Sequence, residues 1–262
     1  MNTRKEQLES FERLLEIMDE LREKCPWDQK QTFESLRKLS IEEVYELGDA
    51  ILDKNMGEIK KEIGDILLHV VFLSKIASET GDFDIGDVIE FLIEKLVYRH
   101  PHVFGEVVVH NARQVENNWE ALKLKEKGRN KGVLGGVPNS LPALVKATRI
   151  QEKARGVGFD WEIKEQVWEK VKEELQEFEN EIRRNDRGNM EAELGDLIFS
   201  IVNAARLYEL DPESALERTN QKFIKRFNYL EEHTLLKGKS LHNMTLKEMD
   251  FFWEEAKKQE KQ

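Results

Sequence analysis

Residues 173–196 gather Glu173, Glu174, Glu177, Glu193 and Asp196 in the pattern EExxE, fifteen intervening residues, ExxD. Steps of three and four on a helix put Glu173 and Glu174 on the same side as Glu177, and Glu193 beside Asp196. The short RRNDRGN segment between the two sets predicts an antiparallel helix pair that brings them face to face. Glu193 and Asp196 enter the apolar run LIFSIV, which reads as buried. Carboxylates crowded into such a place repel, so one protonates or a cation lies between them. Hard oxygen donors with no Cys or His beside them select Mg²⁺, or Mn²⁺, over zinc.

Mg²⁺ commonly fills its remaining positions with water and phosphate oxygens. Cations suited to phosphate stand nearby or on later helices. Lys170 precedes Glu174 by one helical turn, and Lys222 and Arg226, four apart, share a face. With Trp253 as a base or lid contact, these residues compose a nucleotide site. Each has a plainer reading. An EExxE run is commonly a solvated face, Lys222/Arg226 a surface pair, and Trp253 a core residue.

What favours the site is that it is written twice. Glu42, Glu46, Glu62 and Asp65 precede Glu173, Glu177, Glu193 and Asp196 by 131 positions each, with Glu43 answering to Glu174. Lys95 and Arg99 answer to Lys222 and Arg226, and the segment around Trp119 to the one around Trp253. Ordered repetition with small drift in spacing indicates a duplicated domain rather than a solenoid. The expected organisation is a first domain over 1–128, a linker over 129–142 where Gly, Pro and small polar residues concentrate, and a second domain over 143–262. The copies differ at one informative place. Seven residues after Asp196 stands Asn203, a potential ligand or carboxylate partner, whereas Phe72 follows Asp65 at that distance.

Helices must position these groups. The segment EQLESFERLLEIMDELREK repeats its apolar residues at three- and four-residue steps, and similar runs follow throughout. Ser40 with Glu43, and Thr245 with Glu248, have capping-box spacing, which gives Glu43 a competing structural role. NMG reads as a turn before a second, buried helix, and Pro212 as a first-turn proline. Only VFGEVVVH hints at strand alternation, so the expected fold is all-α, two tandem domains built from helical bundles.

Composition bounds the partners. A formal charge of −11 offers no basic field for a nucleic-acid polymer. The lone Cys25 excludes an intrachain disulfide framework and reads as structural. The charged N-terminus carries no signal-peptide core, and no apolar run is long enough to span a membrane, so a cytoplasmic location is expected. The chain has no P-loop and no GxGxxG after a strand. No ExxH accompanies the carboxylates as a di-iron site would require, and His100-Pro101-His102 reads as a helix-ending turn.

The doubled EExxE…ExxD pattern, with CPWDQKQT, RHPHVF, SLPALVKA and VGFDW in this order, resembles the two-domain bacterial MazG proteins over nearly the whole chain. The resemblance implies helical bundles, a homodimer and Mg²⁺-dependent hydrolysis of nucleoside triphosphates to monophosphate and pyrophosphate, removing unwanted nucleotides. It implies Glu174, Glu177, Glu193 and Asp196 as metal ligands, with Lys170, Lys222, Arg226 and Trp253 along the nucleotide. Glu173 is left over as a candidate general base. It also associates hydrolysis with the second domain, leaving Glu43, Glu46, Glu62, Asp65, Lys95 and Arg99 as a weaker, regulatory or silent second site. Two alternatives stand beside this: a non-catalytic helical module whose acidic faces dock a basic partner, and a metal phosphohydrolase acting on another nucleotide such as an alarmone.

Overall fold

The computed structural model describes residues 1–111, 114–115, 118–119, 122, 132–235 and 240–259. Much of the stretch around Trp119 and the start of the expected linker lie outside them. The described elements are helical, with no strand among them; the VFGEVVVH segment forms a short helical end and irregular chain. The chain divides into two compact units, Met1–Val115 and Glu116–Gln262.

In the first unit, α1 (Arg4–Lys24) opens on a reciprocal Thr3/Glu6 capping box. A 3₁₀ turn (Asp28–Lys30) then leads to α2 (Phe33–Leu52) and α3 (Met56–Thr80). Phe11, Leu14 and Leu15 of α1 pack with Met18 on a core of Leu36, Val71, Phe72 and Ile76. Arg22 clamps α1 to α3 by pairing both carboxylate oxygens of Glu79, at 2.8 and 2.5 Å. Gly81, in the left-handed region at φ 74°, closes α3. Helix α4 (Ile85–Arg99) follows an Asp84/Asp87 capping box, and Pro101 opens the short α5 (Pro101–Phe104).

The second unit runs through α6 (Ala143–Arg155), a 3₁₀ turn (Lys164–Gln166), α7 (Val167–Arg184), α8 (Arg187–Leu207), α9 (Pro212–Leu235) and α10 (Leu246–Gln259). Val167, Val202, Leu230, Phe252 and Ala256 are buried in it. The expected Thr245/Glu248 capping box is present at the start of α10.

The α2–α3 and α7–α8 hairpins are built alike. Lys54 and Asn185, 131 positions apart, both take positive φ, 55° and 56°. The next residues, Asn55 and Asp186, cap α3 and α8 by accepting from two backbone amides each. Asn tolerates the left-handed region better than Lys, whose side chain has no short polar group to bond locally.

Three local expectations are corrected. Ser40 is not a cap. It lies inside α2 and donates to the Leu36 carbonyl, while Thr32 caps that helix with Ser35. Met56 belongs to α3, so the turn sits two residues earlier, at residues 53–55. The LIFSIV run is only partly buried. Ser200 and Val202 are covered, but Ile198, Phe199 and Ile201 are exposed because a two-helix hairpin covers one side of each helix.

Candidate active site

Helix α7 carries Lys170, Glu173, Glu174 and Glu177, and α8 carries Glu193 and Asp196. The hairpin brings carboxylate oxygens of Glu174, Glu177 and Glu193 within 4.8 Å of one another. Glu174 is only 6% exposed and is held by the Lys170 Nζ at 2.7 Å. The same ammonium donates to Glu173 at 2.8 Å, so Glu173 is tied to Lys170 rather than standing apart. These two carboxylates raise the pKa of Lys170 and keep it cationic. At Glu177, desolvation and the charges of Glu174, Glu193 and Glu173 push the carboxyl above its usual range. Asp196 lies outside the tight trio but lines the adjoining cavity with Lys170 and Glu174.

The first unit gathers a related but not identical trio. Glu43, Glu62 and Asp65 approach within 4.8 Å, and here Glu46 is the one outside. Glu62 is 2% exposed; one of its oxygens accepts from Lys61 at 2.8 Å and the other is buried without a partner. Glu43 is pushed up by burial and by Asp65, Glu46 and Glu62. His69, 3.9 Å from Glu43, has its pKa lowered by burial and is neutral near pH 7. Its counterpart 131 positions later is Ser200.

Both trios therefore concentrate negative charge that the protein's own cations neutralise incompletely. Such all-oxygen sets, one with an orphaned buried carboxylate oxygen, fit a hard divalent cation.

The remaining predicted nucleotide contacts fall elsewhere in the second unit. Arg226 of α9 lies over the Trp253 ring of α10 at 5.7 Å, and Phe223 packs on the same ring at 5.0 Å. Lys222 is exposed on α9. Neither Lys222 nor Arg226 nor Trp253 lines the cavity beside Glu174 and Asp196. In the first unit, Lys95 sits 5.8 Å from the Phe91 ring on its own helix.

The MazG nucleotide pyrophosphohydrolase domain matches this chain twice, over residues 31–104 and 163–230, the two regions that contain these hairpins. The chain belongs to the MazG family. It is 48% identical over 250 residues to the nucleoside triphosphate pyrophosphohydrolase/pyrophosphatase MazG of Thermotoga maritima, covering 94% of this chain and 95% of that one. It is 38% identical over 260 residues to the nucleoside triphosphate pyrophosphohydrolase of Escherichia coli K12, covering 97% and 99%. A solved mazG-related protein from Thermotoga maritima aligns with 44% of this chain and 99% of its own, at 30% identity and a TM-score of 0.39.

Three residues around the MazG carboxylates escaped the sequence reading. Arg206 pairs with Asp160 and also donates to Asn203 Oδ1 at 2.8 and 3.1 Å, so the Asn203 oxygen is engaged by arginine. Gln151 of α6 donates to the Phe199 carbonyl in α8 at 2.9 Å. Separations of 46 and 48 residues leave no periodic signal; the quoted VGFDW motif marked Asp160's neighbourhood but not its partner.

Proposed function

We propose that this protein hydrolyses nucleoside triphosphates to nucleoside monophosphate and pyrophosphate, with Mg²⁺ as cofactor and the main site on the α7–α8 hairpin. The observation that carries the reading is the trio Glu174, Glu177 and Glu193 beside a cavity in a chain of the MazG family. Glu174, Glu177, Glu193 and Asp196 would hold the metal. Bound there, Mg²⁺ supplies Lewis acidity and charge neutralisation to the triphosphate.

The protein's own groups do the rest. Lys170 holds Glu173 and Glu174 in place and adds positive charge where phosphates enter. A carboxylate, with Glu173 the candidate, takes the proton of the attacking water. The water oxygen bonds to the α-phosphorus as the bond to the bridging oxygen breaks, and pyrophosphate leaves. Lys222 and Arg226 would stabilise its charge once α9 and the substrate are brought together.

Packing favours the second unit. Phe72 is 3% exposed among Met18, Leu36 and Val71, filling the place where the second copy has Asn203 on a cavity wall. The first unit would then keep a cation-binding cluster with little room for substrate next to it.

The exposed apolar residues support a homodimer. Helix α4 buries none of its residues, and Phe91, Leu92, Ile93 and Leu96 are exposed; on the matching α9, Phe223, Ile224 and Phe227 are too. Product analysis with and without Mg²⁺ tests the reaction, and hairpin variants test its location.

A further inference from the structure

The two hairpins share their carboxylates but not the residue one turn beyond them. Glu62, Asp65 and His69 follow one another by three and four residues, so they share the face of α3 that meets Glu43 of α2. The matching positions on α8 are Glu193, Asp196 and Ser200, and Ser200 donates its hydroxyl proton to the Leu197 carbonyl. The imidazole is thus peculiar to the first copy.

Three observations place a cation next to it. The Glu62 side chain is only 3% exposed, and one of its oxygens is buried without a partner. Lys61 meets only the other oxygen. His69 Nδ1 is likewise buried and unpartnered, on a ring close enough to Asp65 to feel its charge. Its Nε2 stands 3.9 Å from Glu43 Oε1, too far for a hydrogen bond. With the ring proton on Nδ1, the Nε2 lone pair faces a carboxylate oxygen, two acceptors with no donor between them. Ligand atoms that each lie about 2.1 Å from one ion can stand that far apart, so a dication fits the gap.

We propose that the first hairpin is a site for a borderline transition dication, of the class of Fe²⁺, Co²⁺ or Zn²⁺, with His69 as a nitrogen ligand beside Glu43, Glu62 and Asp65. Carboxylates alone suit Mg²⁺, whereas an imidazole joined to them moves the preference toward the later first-row metals. The all-oxygen second hairpin keeps its Mg²⁺ character, so the duplicated hairpins take different metals. The assignment rests on the first unit's carboxylates holding a cation and is independent of the reaction proposed for the second.

The test uses the full chain, stripped with EDTA and free of nucleotide, carrying Glu177→Gln and Glu193→Gln to disable the second hairpin. Calorimetric titrations with Co²⁺ and Mg²⁺ are made on this parent and on the same chain with His69→Ser or Glu62→Gln added, with circular dichroism to check folding. Proton NMR of the Co²⁺-loaded protein looks for the hyperfine-shifted, exchangeable N–H signal of a metal-bound imidazole. The expected result is a single Co²⁺ site per chain, about tenfold or more tighter than for Mg²⁺, showing that signal. His69→Ser should weaken Co²⁺ about tenfold or more, leave Mg²⁺ nearly unchanged and abolish the signal, while Glu62→Gln should weaken both metals. If His69→Ser does not fold, the shifted signal in the parent decides the matter without any change at position 69. Absence of that signal, or the same preference for Co²⁺ in folded His69→Ser, would overturn the proposal and leave an all-carboxylate cation site. No cation bound by the parent would remove that site and the proposal together.

Discussion

Glu62 and Glu193 hold matched positions in the two hairpins, and their surroundings differ in ways that bear on chemistry. Glu62 is fully enclosed and paired with Lys61, grouped with Glu43 and Asp65, on a helix that carries Phe72 into a closed core. Glu193 is half-buried, with Glu174 and Glu177 at hand, on the helix whose Asp196 and Asn203 line the cavity. On the proposed assignment Glu193 is a direct metal ligand, and removing one should cost more than the ten- to hundredfold typical of outer-shell partners. Glu193→Ala should therefore lower kcat/KM by about a hundredfold or more, while Glu62→Ala should keep most of the wild-type turnover. Steady-state kinetics on both variants checks this, and full turnover by Glu193→Ala would move the main site elsewhere.

At the scale of elements, the hairpin turns set the carboxylates opposite one another, so their caps have functional weight. Asp186 caps α8 through two backbone amides, and Asp186→Ala should destabilise the second unit by about 1 kcal/mol in urea unfolding. No change would mean that water replaces the cap. Much of this level was legible in the sequence: three- and four-residue periodicity marked the helices, and the 131-residue offset recurs in turn, cap and carboxylates alike. Ser40 misled because S-x-x-E arises readily within the body of a Glu-rich helix, and spacing cannot show whether a nearby Thr32/Ser35 box already starts the helix upstream. LIFSIV misled for another reason. Apolar sequence marks a surface that avoids water, without saying whether its cover comes from the same chain. The Gln151 and Arg206 contacts join distant segments, and no local pattern encodes them.

The molecule combines acidic hairpins with exposed apolar helix faces and ion-paired clamps such as Arg22–Glu79 and Arg206–Asp160. Among the described residues no helix is long and apolar enough to cross a membrane. The exposed apolar faces of α4 and α9 are what the proposed homodimer rests on. Sedimentation equilibrium should return twice the chain mass; a monomer at all concentrations would leave the α4 and α9 faces unexplained. Acid should loosen the second unit through Asp160. Burial disfavours its charge, but the Arg206 and Trp161 hydrogen bonds outweigh that and set its pKa below the usual 3.8. Because the folded value lies below the unfolded one, this stabilisation is complete above the unfolded range and lost as pH falls through the folded value. Asp160→Asn should flatten that acid limb in pH-dependent thermal unfolding, and an unaltered limb would remove Asp160 from the account. The most direct test of the central claim is the identity of the products formed from a panel of nucleoside triphosphates by the purified protein, with Mg²⁺ or with EDTA. Monophosphate and pyrophosphate appearing only with the metal is the expected result, and orthophosphate with nucleoside diphosphate would contradict it.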